Sequence, residues 1–241
     1  MKKLKYIVTG TGRCGTVFMA RFLTSLGIPC GHESIFYSDG LDMAVQRLTG
    51  HMPIRLSNVS KADAKNDLWL ENLNNIEADS SYMAAPYLNQ ECLRESVVIH
   101  VVRHPVRVVN SFCNYINYFE NPTPKDGYEA NIYNHLPLLK EEMPTYDRAA
   151  LYYVMWNEMI EEALLNRGFF FHRIEDNKQE LLEFLDCQPT NGVFNNTKVN
   201  TFKKPGASFQ IDHISNKDLK KRFVDMGRRY GYNMSSEYLL I

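Results

Sequence analysis

An apolar run at residues 4–9 ends in Gly10-Thr11-Gly12-Arg13-Cys14-Gly15, after which Thr16-Val17-Phe18 opens a segment with helical periodicity. A buried strand that stops at a glycine-rich turn and continues as a helix commits a chain to an α/β fold, because the helix must pack back on the sheet that holds the strand. The same turn is an anion cradle. Its closely spaced glycines let the backbone curl with N–H groups pointing inward, and the helix N-terminus adds unpaired donors and the positive end of its dipole. The common phosphate loop GxxxxGK[ST] carries a lysine after its second glycine. Gly10 and Gly15 keep that spacing, but Thr16 stands at the lysine position and the cation of the loop is Arg13. Such a loop suits phosphate and is poorly built for ATP with magnesium.

Residues 97–102 are almost wholly apolar, as in a central parallel strand covered on both faces, and the run stops at Arg103. His104-Pro105 then starts a helix, proline being favoured in the first turn. Arg107 and Ser111 fall one helical turn apart on it. Arg103, Arg107 and Ser111 are therefore expected to converge at the carboxyl edge of the sheet, where open α/β folds bind ligands and where the first loop also lies. Two separated phosphate sites along one edge predict a nucleotide phosphorylated at two places.

These motifs resemble those of the sulfotransferases whose donor is 3′-phosphoadenosine 5′-phosphosulfate (PAPS). The family's 5′-phosphosulfate loop reads [KR]-S-G-[TS]-[TS]. Arg13-Cys14-Gly15-Thr16-Val17 is similar to it, with Cys14 in place of the serine and Val17 in place of a hydroxyl residue. The 3′-phosphate site of the family is an arginine at a strand end with a serine eight residues later, which is the interval from Arg103 to Ser111. Residues 169–189, with Arg173-Ile174-Glu175-Asp176, resemble its late strand, R-x-E-D turn and following helix, and residues 153–163, with Trp156 and Asn157, its long preceding helix. The likeness spans residues 4–190. It implies a P-loop NTPase-like, three-layer α/β sandwich around a central parallel sheet, forming one domain over residues 1–241.

Carried onto this chain, the resemblance makes Arg13 the cation that stabilises charge on the leaving 5′-phosphate. It makes the loop Arg13, Cys14, Gly15, Thr16 and Val17 the phosphosulfate cradle, Phe18 an adenine-stacking ring, and Arg103 with Ser111 the 3′-phosphate clamp, a role suited to bidentate arginine. Sulfuryl transfer also needs a base for the acceptor. After the Gly27 stop signal, a short strand at 28–30 delivers Gly31-His32-Glu33 towards the loop. Glu33 lies near the position of the glutamate base in members resembling tyrosylprotein sulfotransferases, so it is the expected general base, with His32 its rival. Burial would have to raise the Glu33 pKa for that role. Asp79-Ser80-Ser81-Tyr82 resembles the family stretch that reaches the sulfate; Ser80 or Ser81 either binds the transferring group or caps residues 83–93, read as helical. Lys198, Lys203 and Lys204, around Lys204-Pro205-Gly206, form either a basic flap over the donor or a solvated loop.

A chain of 241 residues with net charge −1 can bury a single core and has no general attraction to nucleic acid or membrane. Five cysteines (Cys14, Cys30, Cys92, Cys113 and Cys187) without a CxxC pair indicate neither a disulfide framework nor a zinc site, and reduced thiols fit a cytoplasmic protein. The first apolar run is too short for a signal peptide or a membrane span. Residues 117–144 carry Pro122, Pro124, Gly127, Pro137, Pro144 and several tyrosines. They read either as a loop-like lid or acceptor-binding insertion, whose tyrosines and His135 are candidates to line a sugar site, or as a surface excursion that caps the core. Helices are also expected at 16–26, 105–118, 146–166, 177–186 and 216–230, the last with a solvated basic face (Lys220, Lys221, Arg222, Arg228, Arg229), and a strand at 168–172. Three functions stay open: a PAPS-dependent sulfotransferase acting on a hydroxyl or amine of a small molecule or carbohydrate, a nucleotide or small-molecule kinase, and a nucleotide-binding relative without catalysis. The acceptor and the oligomeric state are not legible.

Overall fold

The computed structural model describes residues 3–55, 75–121, 123–124, 127–188 and 209–235. The expected Lys198, Lys203 and Lys204 flap lies outside them. Five strands, β1 (Tyr6–Thr9), β2 (Cys30–His32), β3 (Ala78–Ser80), β4 (Val97–Val102) and β5 (Phe169–Arg173), form one parallel sheet in the order β2-β3-β1-β4-β5. The helices are α1 (Thr16–Ser25), α2 (Leu41–Thr49), α3 (Pro105–Tyr115), α4 (Gly127–His135), α5 (Thr145–Leu164), α6 (Gln179–Phe184) and α7 (Lys217–Arg229).

Alternation along the two central strands sets the layers. Ile7, Val98 and Val102 face one core with Phe112 of α3 and Tyr152, Tyr153 and Trp156 of α5. Tyr6, Val8, Ile99 and Val101 face a second core under α1, with Met19, Leu23 and, from α6, Leu181. A strand covered on both faces has no use for polar alternation, which is why β1 and β4 read as continuous apolar runs. The exception is His100 on β4, fully enclosed, whose Nε2 lies 3.0 Å from Asn157 Oδ1 of α5. Burial pushes its pKa down to about 4, so the imidazole stays neutral in the core.

The register aligns the strand ends. Thr9 pairs with His100, Val8 with Ser80, His32 with Ser80, and Val102 with Arg173. The residues that follow (Gly10–Gly15, Glu33, Ser81, Arg103 and Ile174) consequently lie along one carboxyl edge. The β1 loop hugs that edge closely: a Cβ on Gly10 would stand 2.0 Å from the Val101 carbonyl oxygen, and one on Gly12 would stand 2.7 Å from the Phe112 ring.

Several local expectations need correction. Residues 83–93 form two short 3₁₀ turns, Tyr82–Tyr87 and Glu91–Leu93. Pro86 lacks the N–H and the clearance that a continuous α-helix requires there. The helix expected to reach residue 118 stops at Tyr115, and Asn117 and Phe119 just beyond it adopt left-handed φ of 55° and 68°. The strand expected at 28–30 lies instead at Cys30–His32, so His32 is a strand residue. Strand β3 and helix α2 were not foreseen. Residues 117–144 are no loose excursion, since they contain α4 and bury Phe119, Ile132, Leu136 and Leu139 in the main core. The basic face of α7 is solvent-exposed, as expected, and also carries surface ion pairs: Arg222 meets Glu158 and Arg229 meets Glu161 of α5, each at 2.8 Å, and Lys220 meets Asp212 at 2.9 Å. Among the described residues no helix is long and apolar enough to cross a membrane.

Gly10→Ala forces the Val101 carbonyl to move, and its expected cost is about 3 kcal/mol, or roughly 6–12 °C in Tm, read by thermal unfolding. Gly27, whose Cβ would meet nothing within 4 Å but whose φ is +84°, separates steric from conformational cost: Gly27→Ala is expected to lose only about 1 kcal/mol.

Candidate active site

The loop after β1 is shaped by two left-handed residues, Arg13 (φ 66°) and Gly15 (φ 109°). Gly15 occupies the N-cap of α1 and supplies no capping side chain, so the positive end of the helix opens at the loop mouth. Its missing Cβ is also required by packing, for it would stand 2.7 Å from Ile174. The loop is fastened from behind: Gly12 N–H donates to the buried Tyr152 hydroxyl at 2.7 Å, and Cys14 N–H to the Thr11 carbonyl at 3.4 Å. The Cys14 side chain turns inward and is fully enclosed in the core beneath α1. Burial raises its pKa to about 12, which keeps the thiol protonated and leaves the residue only its backbone to offer a ligand.

Arg13, Arg103 and Ser111 form one cluster. Arg13 Nε donates to Ser111 Oγ at 2.9 Å, Arg103 Nη1 donates to the Arg13 carbonyl at 3.0 Å, and the Arg103 carbonyl accepts from the Tyr153 hydroxyl at 3.2 Å. The sequence suggests a 5′ site around Arg13 and a separate clamp of Arg103 with Ser111; the structure joins them through the Arg13–Ser111 bond. Burial lowers the pKa of Arg13, and Arg103 pushes it the same way. Burial likewise lowers that of Arg103, opposed by Glu175 and reinforced by the exposed Arg107. Neither Arg13 nor Arg103 has a carboxylate within ion-pair distance among the described residues. Partly buried guanidinium groups that repel one another favour an anion between them.

Across the loop mouth stands Glu33, in a left-handed conformation (φ 52°) one residue past β2. It is almost completely buried, and burial raises its pKa from 4.5 to about 7, opposed by the neighbouring Tyr128 hydroxyl and reinforced by Asp79. His32 Nε2 lies 3.9 Å from Glu33 Oε1 and 3.2 Å from Thr16 Oγ1. The Thr16 hydroxyl thus already has a partner within the protein. Burial brings the His32 pKa down to about 4, leaving the imidazole neutral beside the carboxyl, and its Nδ1 is enclosed without a partner.

Asp79 was missed as a functional position, being read as part of a serine-rich cap. Its carboxylate accepts three successive backbone N–H bonds, from Ser34 at 3.0 Å, Ile35 at 3.2 Å and Phe36 at 3.1 Å, and so fixes the turn that carries Glu33. Gly31 admits it, since a Cβ there would stand 2.7 Å from Asp79 Oδ1. The Ser80 hydroxyl donates to the Thr16 carbonyl at 2.8 Å, and the Ser81 hydroxyl donates to Phe36 O at 2.9 Å while accepting from Met83 N–H at 3.2 Å. Both are fully buried and engaged by backbone, which settles Ser81 as a cap.

The groups that face Glu33 from α4 and the turn before it are tyrosines. Tyr37 meets Tyr128 of α4 edge to face at 5.2 Å, and burial, then Glu129 and Glu33, raise the pKa of Tyr118 to about 12. Tyr118 is displayed between the left-handed Asn117 and Phe119. That turn is held by Glu129, which accepts from Phe119 N–H at 2.6 Å, and by the buried Arg148, whose Nε donates to Phe119 O at 3.1 Å. His135 is not part of this set; it packs edge-on against Tyr87 and Trp156 in the core. Phe18 stacks on Phe22 at 5.9 Å with the Lys178 ammonium 5.4 Å from its ring centre, on the α1 side of the loop. Val17 is half-buried in the same turn.

No protein-family model and no curated protein matches the sequence. Among solved structures the chain is similar to the crystal structure of a sulfotransferase from Alicyclobacillus acidocaldarius, at 14% sequence identity and a TM-score of 0.45, over 95% of this chain and 93% of that one.

The buried Glu33 sets a pH dependence of stability. Its folded pKa is raised, so the associated stability is present below about 4.5, declines as the unfolded state ionises first, and is fully lost above about 7. Glu33→Gln removes this loss. Its stability relative to wild type is expected to rise by about 3 kcal/mol across that window, measured as the difference in Tm between pH 4 and pH 8.

Proposed function

We propose that the protein is a sulfotransferase that moves a sulfuryl group from PAPS to a hydroxyl of a carbohydrate or similarly hydroxylated small molecule. The observation that carries this reading is the pairing of an anion-seeking cluster, Arg13, Arg103 and Ser111 at the α1 N-terminus, with a carboxyl whose pKa is raised to about 7 across the loop mouth. A bisphosphorylated nucleotide satisfies the first. The second is a base tuned to neutral pH.

In this reading Glu33 takes the proton of the acceptor hydroxyl as its oxygen bonds to sulfur. The bond from sulfur to the 5′-phosphate oxygen breaks in line, and the electron pair stays on that oxygen. Arg13 and the first-turn amides of α1 meet the developing charge. Arg103 and Ser111 hold the 3′-phosphate, and Phe18 lies on the side of the loop assigned to adenine. His32, neutral and bonded to Thr16, is left to orient the loop rather than to act as base. Tyr37, Tyr118 and Tyr128 give the acceptor aromatic faces and hydroxyls, the combination that suits a sugar ring. Five free cysteines, three of them buried, fit a reducing, cytoplasmic setting.

Calorimetric titration with adenosine 3′,5′-bisphosphate and with ADP plus magnesium tests the donor. Selective binding of the bisphosphate is expected, weakened about 10- to 100-fold in Arg103→Ala; a preference for ADP with magnesium overturns the reading in favour of a kinase. In turnover, kcat is expected to rise with pH through about 7, because the base acts deprotonated. Glu33→Gln is expected to lower it by about 10²- to 10⁴-fold, measured by transfer of labelled sulfate to a panel of hydroxylated acceptors.

A further inference from the structure

His32 and Ser80 are register partners on β2 and β3, and both reach the first residue of α1. The Ser80 hydroxyl donates to the Thr16 carbonyl at 2.8 Å, and His32 Nε2 lies 3.2 Å from Thr16 Oγ1. The preceding pair, Gly31 and Asp79, falls on the opposite face of the sheet, where Asp79 holds the turn that carries Glu33. Thr16 is therefore gripped at its backbone by one strand and at its side chain by the next, at the point where α1 opens onto the loop.

The bond between His32 and Thr16 has two possible directions, and the surroundings choose between them. Both residues are almost wholly enclosed, and His32 Nδ1 has no partner among the described residues. A neutral imidazole carries one proton, and burial, which brings the pKa of this ring down to about 4, keeps it neutral. If Thr16 donates to Nε2, the ring proton sits on Nδ1, walled in by protein with nothing to accept it. If Nε2 donates to Thr16, Nδ1 shows only a lone pair, and the proton left over is that of the Thr16 hydroxyl, which bonds no other group among the described residues. A ligand at the α1 N-terminus can meet that proton; none can meet the other. Glu33 Oε1, 3.9 Å from Nε2, is too distant for a hydrogen bond, but its negative charge also favours a proton over a lone pair on the nitrogen that faces it.

We propose that His32 is the positioning residue of Thr16: it donates its Nε2 proton to the Thr16 hydroxyl and so turns the hydroxyl's own proton towards an anion at the N-terminus of α1. This rests on the reading of the loop as a phosphosulfate cradle. Held in this way, Thr16 is a fixed donor beside the first-turn amides, and a fully deprotonated oxygen is the group that suits it. The same arrangement keeps His32 from competing with Glu33 as base, because the nitrogen that faces the site already bears its proton and the bare one is enclosed.

The test begins with the free, full-length wild type labelled with ¹⁵N, the His32 ring being assigned through its own backbone resonances. Long-range ¹H–¹⁵N correlation tells the protonated ring nitrogen from the bare one. The proton is expected on Nε2 throughout the range from about pH 6 to about pH 8; a proton on Nδ1 overturns the proposal. Calorimetric titration with adenosine 3′,5′-bisphosphate then reads the consequence. Thr16→Val keeps the shape and removes the hydroxyl, and is expected to weaken binding about 10-fold. His32→Asn withdraws the donor from the Nε2 position and is expected to weaken it about 3- to 10-fold, whereas His32→Gln, whose amide nitrogen stands where Nε2 did, is expected to regain most of the loss. In the double variant the His32→Asn loss is expected to vanish, since His32 acts through the hydroxyl. Unchanged affinity in Thr16→Val, fully additive losses, or His32→Gln no better than His32→Asn each overturn the proposal. Should the His32 variants not fold, the wild-type ring spectrum and Thr16→Val still decide it. Failure of the bisphosphate to bind wild type defeats the donor reading, while the spectrum still gives the direction of the His32–Thr16 bond. Tight binding with the proton on Nδ1 defeats the proposal alone.

Discussion

Between Gly10 and the carbonyl of Val101 there is no room for a methyl group. That approach ties the end of β1 to the end of β4, and the rest of the carboxyl edge follows from it. With the loop pressed against β4, Arg103 reaches the Arg13 carbonyl and Arg13 reaches Ser111 on α3. Like charges are thereby assembled by backbone geometry rather than by mutual attraction. The covalent chain and the apolar cores under β1 and β4 supply the free energy that holds the two guanidinium groups close. An anion that fits between them is bound by relief of repulsion as well as by hydrogen bonds.

The acidic half of the site is assembled by a different balance. Asp79 and Glu33 are both buried carboxyls, and burial raises both, Asp79 to about 6 and Glu33 to about 7. Asp79 is offset by three amide donors and serves as the fixed point of the β2 turn. Glu33 accepts no such amide among the described residues and has a left-handed backbone, so it is the more strained of the two. The contrast assigns them different work: a carboxylate that is fully bonded positions, and one that is sparsely bonded can exchange a proton. The same burial that tunes Glu33 makes it a liability to the fold at neutral pH, the expected relation where function asks for a group the core would rather exclude.

What was legible in the sequence was what depends on pattern. The apolar runs of β1 and β4 and the glycine spacing of the loop between β1 and α1 each reflect a period or a backbone requirement that survives as letters. The placement of Arg103 and Ser111 did so as well. Strand β3 did not, because Ala78-Asp79-Ser80 has neither β-branched residues nor alternation; it is a strand only because the chain is drawn between β1 and β2, a tertiary effect that overrides propensity. Helix α4 was hidden by its neighbours Pro122, Pro124 and Pro137 and by Gly127, although its own Ile132 is fully buried. The tyrosine cluster was half visible. Tyrosines in residues 117–144 suggested an acceptor surface, but which of them meet Glu33 is set by the left-handed turns at Asn117 and Phe119 and by the Arg148 clamp, and neither has a local signature.

Cys14 shows why departure from a motif must be weighed in three dimensions. In the linear pattern it replaces a serine and suggests a weakened hydrogen bond to the phosphosulfate. In the fold its side chain points away from the loop mouth, into the core where a Cβ on Gly10 would stand 2.8 Å from its sulfur. A thiol there is a small apolar filler, and its burial keeps it protonated. A cysteine at this position thus suits the core, while the left-handed backbone at Arg13 and Gly15 and the open N-terminus of α1 stay at the loop mouth. The identity of residue 14 is then a matter of packing beneath the loop rather than of the groups displayed at its mouth.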